Sequence, residues 1–179
     1  PAGLSAALYL ARFRRSTLVL HDGRARALRI PLTHNAPGFP EGVTGSELVA
    51  RMGEHAARYG ATIAQGHIVR AERVDGLFRL TGSEGEQWQA RALILATGLE
   101  LNQIDLPWEV HEAAIRAGVL RYCPVCDGHE HIDKAIAVIG CDEQGAAEAL
   151  FLRTYSERIT LLPRSFPELA ADEREQLRA

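Results

Sequence analysis

The sequence predicts an α/β fold built from two parallel strand–helix units, with a small antiparallel sheet inserted in the first. Three observations carry this expectation. Gly3 runs at once into an apolar helical pattern followed by a β-rich run, a strand–helix–strand unit that lacks its first strand. Between residues 61 and 89, short strand-like segments are separated by Asp75-Gly76 and Gly82-Ser83. Further on, Ala135-Ile136-Ala137-Val138-Ile139-Gly140 reads as a strand entering a glycine turn, with a helix over 143–154 and a strand over 158–162 behind it.

Taken in order, Leu4, Ala7, Leu8, Leu10 and Ala11 recur at helical spacing, so residues 4–14 form a helix. Thr17-Leu18-Val19-Leu20 is a strand closed by His21-Asp22-Gly23. Residues 24–43 contain Pro31, Pro37, Gly38, Pro40 and Gly42, and so form a loop; one this long is usually functional. Thr44 or Ser46 caps the next helix, which ends near Tyr59 at Gly60. Thr62-Ile63, His67–Arg70 and Leu77–Leu80 are the strands of the inserted sheet. Ala92-Leu93-Ile94-Leu95-Ala96-Thr97-Gly98 is a buried strand ending in a tight turn, and a linker with Pro107 and Trp108 follows. Residues 166–179 read as a charged, solvated helix.

Composition excludes several classes. The chain has 179 residues, 46% apolar, with a formal net charge of -3, which gives no support for nucleic-acid binding. No apolar run is long enough to span a membrane, and no secretory leader is visible. Three clustered cysteines do not make a disulfide scaffold, so a cytoplasmic location is expected. Both ends read as cut, which suggests an internal piece of a longer protein.

The chemistry concentrates in Cys123-Pro124-Val125-Cys126-Asp127-Gly128. Two thiols three residues apart can close a disulfide across one turn. A helix starting at the first cysteine favours the thiolate, the species active in thiol–disulfide exchange. The competing reading is half of a zinc site completed by His129 and His131; that spacing is not a usual one, and no second CxxC exists. Asp127 is either a group that moves protons beside the pair or an ordinary helix-start residue. Cys141 reads as a plain buried thiol in a turn.

Pro1-Ala2-Gly3, Asn35-Ala36-Pro37-Gly38-Phe39-Pro40, Ala96-Thr97-Gly98 and the CxxC segment stand in the order found in one family. On these motifs the chain resembles the low-molecular-weight thioredoxin reductases and their pyridine nucleotide-disulfide oxidoreductase relatives. The resemblance implies a three-layer Rossmann-like FAD-binding domain over residues 1–107. The start of a second, NAD(P)-binding Rossmann-like domain carrying the CxxC would occupy 108–179. It further implies electron flow from NAD(P)H through FAD to the Cys123/Cys126 disulfide, and on to a thioredoxin-like protein or a small disulfide. Cys126 would face the flavin, Cys123 would attack the substrate, and Asp127 would be the acid/base. Pro1, Ala2 and Gly3 would meet the FAD pyrophosphate, and His21 or Asp22 the ribose. Asn35, Ala96, Thr97 and Gly98 would line the flavin site; Gly140, Gly145 and Arg164 would serve the pyridine nucleotide. The whole protein would be a homodimer.

Two departures bear on the electron supply. The turn Gly140-Cys141-Asp142-Glu143-Gln144-Gly145 has Asp142 where a G-x-G-x-x-G turn has its middle glycine. A desolvated carboxylate facing phosphates costs more than about 1 kcal/mol. Arg164 also stands alone where a pair of arginines is usual. The sequence therefore leaves open a flavin dithiol oxidase, or a reductase that takes electrons from elsewhere. It also leaves open a non-catalytic remnant, which without the first strand is expected to hold FAD weakly.

Overall fold

A computed structural model describes residues 1–140, 143–163 and 175. The chain divides into two compact units, Pro1–Pro107 and Trp108–Ala179. Cys141, Asp142 and Arg164 lie outside the described residues, as does the expected helix over 166–179 apart from residue 175.

The first unit opens with helix α1 (Ala2–Arg12), whose buried face is small: Ala7 and Ala11. These alanines let α1 lie close to α2 (Gly45–Arg58), whose Ala56 is fully buried. Together with Ala61 they form the core, with Leu8 and Val19 packed on it. Strand β1 (Leu18–His21) pairs in parallel with β2 (Thr62–Gln65), from Leu18 opposite Thr62 to His21 opposite Gln65. A parallel pair needs a crossover, and α2 is carried on it. Thr44 caps α2 by accepting a hydrogen bond from the Glu47 N–H (3.2 Å).

Both helices end in the same way. Ala61 N–H donates to Ala56 O and Gly60 N–H to Ala57 O, with Gly60 at φ 97°. In α1 the equivalent bonds run from Arg15 N–H to Leu10 O and from Arg14 N–H to Ala11 O. The left-handed position is Arg14, at φ 59°. A non-glycine residue there is strained, and the Arg14 side chain is exposed. Arg14→Gly is therefore expected to raise stability by about 0.5–1 kcal/mol. A denaturant titration showing no gain would contradict this.

The long loop after β1 has structure of its own. A turn of 3-10 helix spans Arg26–Arg29, and Thr33 and Val43 exchange backbone hydrogen bonds of 2.9 Å. The inserted sheet is antiparallel, in the order β3 (Ile68–Val74), β4 (Leu77–Gly82) and β5 (Gln87–Ala90). Asp75-Gly76 makes the β3–β4 hairpin, both residues at positive φ as a two-residue turn requires. The expectation that Thr62-Ile63 belongs to this sheet is corrected: those residues are in β2, parallel to β1. The third antiparallel strand is β5, which the sequence conceals because Gln-Trp-Gln-Ala alternates only two apolar residues.

The expected buried strand over 92–98 is not observed. Residues 92–98 form no ladder, and Ile94 and Leu95 are 58% and 75% exposed. Apolar composition alone does not make a strand; it needs a hydrogen-bonding neighbour. The parallel sheet of this unit contains only β1 and β2. Gly98 does take the left-handed conformation of a turn, at φ 74°.

In the second unit, helix α3 (Trp108–Arg116) occupies part of what reads as linker. The short helix α4 (Pro124–Asp127) follows, and then a 3-10 turn over Gly128–His131. Strand β6 (Ile136–Gly140), helix α5 (Glu143–Leu152) and strand β7 (Ile159–Pro163) make a strand–helix–strand unit with a parallel ladder. Val138, Ala149 and Leu152 form its core, and Ile136, Tyr155, Ile159 and Leu161 pack on it. No helix among the described residues is long and apolar enough to cross a membrane.

Candidate functional site

Cys123 stands in extended backbone just before α4, with Pro124 at the first helical turn. Proline suits that position because its missing N–H would have no helical partner there. The Cys123 carbonyl accepts from both Cys126 N–H (3.0 Å) and Asp127 N–H (3.2 Å). This turn brings the Cys123 and Cys126 Cα atoms to 5.2 Å, and the two sulfurs are joined as a disulfide. Val125, between them, is 74% exposed, so the pair sits at a surface.

The structure revises the electrostatic expectation for the thiols. Helix α4 is a single turn of four residues, too short to build a sizeable macrodipole. The N–H groups of Cys126 and Asp127 are spent on the Cys123 carbonyl. Thiolate stabilisation from a helix N-terminus is correspondingly small.

Asp127 is half-buried at the end of α4, and its carbonyl is 2.8 Å from His131 Nδ1. Gly128 follows it tightly against Tyr155: a Cβ there would lie 2.6 Å from the ring. His129 and His131 do not gather with other ligating side chains into a group able to hold a metal, among the described residues.

Two further candidates of the second unit, Gly140 and Gly145, meet at the β6–α5 turn. A Cβ on Gly140 would lie 2.6 Å from the Gly145 Cα, so the strand end and the first turn of α5 touch backbone to backbone. That is the close approach a dinucleotide-binding turn uses. The central residue of this turn, Asp142, and the candidate Arg164 lie outside the described residues.

In the first unit, Pro1-Ala2-Gly3 begins α1 and Ala96-Thr97-Gly98 comes to meet it. A Cβ on Gly3 would lie 3.2 Å from Ala96 Cβ. The first N–H groups of a helix have no intrahelical acceptor, so this end offers donors to a phosphate. The residues present thus fit the pyrophosphate of FAD. His21, exposed at the end of β1, accepts the Gly23 N–H on Nδ1 (3.1 Å). Asp22 accepts from Arg24 N–H (3.0 Å) and Arg24 Nε (2.9 Å), with His67 Nδ1 at 3.6 Å. An acceptor for a ribose hydroxyl is therefore present at Asp22, but shared with Arg24. Asn35 is committed to its own loop, its Oδ1 accepting from Thr33 Oγ1 (2.7 Å). Arg24, His67, His111, Tyr122 and Tyr155 carry no motif that singles them out in the sequence.

The backbone and side-chain hydrogen bonds from Arg24 hold the Asp22 carboxyl below its ordinary value, with a smaller charge contribution from Arg24 and His67. A carboxyl lowered on folding contributes stability above its unfolded pKa, and that contribution is lost as the pH falls through the lowered value. Arg24→Ala keeps the backbone N–H bond, the largest cause, and removes the side-chain bond and the charge. The Asp22 titration, followed by NMR of its carboxyl carbon, is therefore expected to move only part of the way towards the ordinary carboxylate value. An unchanged titration would show that the Arg24 side chain contributes nothing and the backbone bond carries the shift.

The sequence matches the pyridine nucleotide-disulphide oxidoreductase family over residues 1–176. It is similar to the thioredoxin reductase of Bacillus subtilis (strain 168), 34% identical over 167 residues, covering 92% of this chain and 51% of that protein. It is also similar to a bifunctional thioredoxin reductase/thioredoxin of Mycobacterium leprae (strain TN), 35% identical over 166 residues, covering 92% of this chain and 36% of that one. The crystal structure of thioredoxin reductase from Streptococcus pyogenes MGAS5005 matches the fold with a TM-score of 0.89 at 25% identity, covering 100% of this chain and 58% of that one. The chain spans about half or less of the length of these curated relatives.

Proposed function

The chain belongs to the pyridine nucleotide-disulphide oxidoreductase family, and from that premise we propose that it is the disulfide-bearing part of a thioredoxin-reductase-like flavoenzyme. The observation that carries this reading is the closed Cys123–Cys126 disulfide in a surface turn. Among the described residues, no other side chain of the site is able to accept and pass on two electrons. FAD on the first unit and NAD(P)H on the second would supply those electrons when bound. Pro1, Ala2 and Gly3 at the start of α1 would hold the FAD pyrophosphate, with Asp22 near its ribose. Gly140 and Gly145 would admit the nicotinamide dinucleotide.

The chain's own steps follow from thiol chemistry. Two electrons and two protons open the disulfide to two thiols. The Cys123 thiolate attacks one sulfur of a substrate disulfide, forming a mixed disulfide and expelling the first substrate thiolate, which takes up a proton. The Cys126 thiolate then attacks Cys123 Sγ, re-forming the Cys123–Cys126 bond and expelling the second. Asp127 accepts the proton from one protein thiol and gives it to a departing thiolate. The substrate is a thioredoxin-like protein or a small disulfide, and the whole protein acts as a homodimer in the cytoplasm. The test is anaerobic reduction of an oxidised thioredoxin by the full-length yellow protein and NADPH or NADH. Absence of bound flavin from that protein would overturn the reading.

Asp142 in the nucleotide turn favours a second reading. In it, the protein is a flavin dithiol oxidase that passes electrons from the dithiol to oxygen, or a reductase whose flavin is fed by another redox protein rather than by a pyridine nucleotide. Rapid anaerobic bleaching of the flavin by either nucleotide contradicts it.

A further inference from the structure

His111 on α3 is 2% exposed, one of the two largest fully buried side chains among the described residues. Neither ring nitrogen is idle. Nδ1 is 3.0 Å from Glu112 Oε1, and Nε2 is 2.8 Å from Tyr122 Oη. A carboxylate only accepts, so in the neutral ring Nδ1 carries the hydrogen towards Glu112 and Nε2 accepts from the Tyr122 hydroxyl. Tyr122 immediately precedes Cys123. Helix α4, which carries Cys126, has no buried residue of its own. The turn is therefore gripped from outside on both flanks. Tyr122 is tied to His111 before it, and Gly128 is seated on Tyr155 after it.

We propose that His111 is a positioning residue for the redox pair: through Tyr122 it holds Cys123 in place when the disulfide opens. The proposal rests on the thiol–disulfide reading above. In the oxidised state the covalent bond itself fixes Cys123 relative to Cys126. In the dithiol that link is gone, and the backbone before Cys123 keeps its place only through its remaining contacts. A held Cys123 presents its sulfur to Cys126 at high effective concentration, which favours closure of the ring. A slack one does not. Tyr122 alone would be an ordinary half-buried aromatic residue. Its hydroxyl bond to a doubly engaged buried imidazole turns the residue before Cys123 into an anchor point.

The test measures the balanced exchange in which the protein disulfide and two glutathione thiols give two protein thiols and one glutathione disulfide. Full-length protein is equilibrated in glutathione buffers of varied composition, and its thiols are then counted by alkylation. Tyr122→Phe removes only the hydroxyl. It is expected to lower the equilibrium constant for disulfide closure about tenfold, through the lost effective concentration of the two thiols in the dithiol rather than through the energy of a hydrogen bond that both redox states share. His111→Leu should do the same. His111→Gln, which restores an acceptor facing the phenol, should stay within about threefold of the parent. A purely structural role would lower the melting temperature of these variants and leave the exchange constant alone. If the parent exchanges reversibly and Tyr122→Phe and His111→Leu match it, the positioning role is overturned while the thiol–disulfide reading stands. If the parent itself does not exchange, both fall. Should Tyr122→Phe not fold, the comparison of His111→Leu with His111→Gln decides the matter.

Discussion

Cys123→Ser and Cys126→Ser are each expected to lower disulfide turnover by about a thousandfold or more, and to fail in different ways. Each removes one partner of the disulfide that, on the proposed reading, takes up two electrons when it opens to the dithiol. Serine is close in size to cysteine but cannot form a disulfide, so the turn built on the Cys123 carbonyl should survive and folding should be spared. In Cys126→Ser the remaining thiol at position 123 still attacks a substrate disulfide. No second thiol then releases the product, so the mixed disulfide accumulates. One equivalent of substrate thiol is released per chain and turnover stops. In Cys123→Ser the attacking sulfur is absent and no such adduct forms. A non-reducing gel after incubation with an oxidised thioredoxin distinguishes the two. Adduct in Cys123→Ser and none in Cys126→Ser would reverse the assigned roles. Turnover retained in either variant would remove the pair from the reaction.

The parts of this molecule that are legible in the sequence are those whose cause is local. The spacing of Leu4, Ala7, Leu8 and Ala11 announces α1, and Asp75-Gly76 announces a hairpin because few other dipeptides accept two positive φ angles. Cys123 and Cys126 are legible because a disulfide across one turn needs only sequence neighbours. Features that depend on a distant partner are not legible. Residues 92–98 have a strand's composition but form no ladder, and whether a strand forms is decided by its neighbour. Helix α3 hides because its buried position is filled by His111 rather than an aliphatic residue. His111 and Tyr122 are eleven residues apart, at no periodic spacing, and meet only because the chain folds back after α3. Arg24 on Asp22 escapes for a different reason: the two are near neighbours, but their ion pair depends on the shape of the loop after β1, which no motif announces.

Gly140→Ala should be the most damaging single-methyl change in the second unit, costing about 2–3 kcal/mol of stability. The argument is one of space, not of backbone freedom, since Gly140 has no positive φ. The added Cβ would fall 2.6 Å from the Gly145 Cα, and the reciprocal change at Gly145 would place a Cβ 2.9 Å from the Gly140 Cα. Each clash is against backbone, which cannot swing aside as a long side chain can. The strand end and the helix start must move apart. Helix α5 buries Gly145, Ala146, Ala149 and Leu152, and Ala149 and Leu152 form the core with Val138 of β6. Displacing the first turn of α5 therefore loosens the whole strand–helix contact. It also spoils the close turn on which a dinucleotide would rest, so any pyridine nucleotide affinity should fall with stability. Gly53→Ala is the matched control. That glycine lies inside α2, where a Cβ would meet only Ile63 Cδ1 at 3.6 Å, an ordinary contact. There alanine should stabilise by about 0.5–1 kcal/mol. Calorimetry of the two variants should show opposite shifts; a Gly140→Ala protein that melts with the parent would mean the β6–α5 turn is not packed this closely.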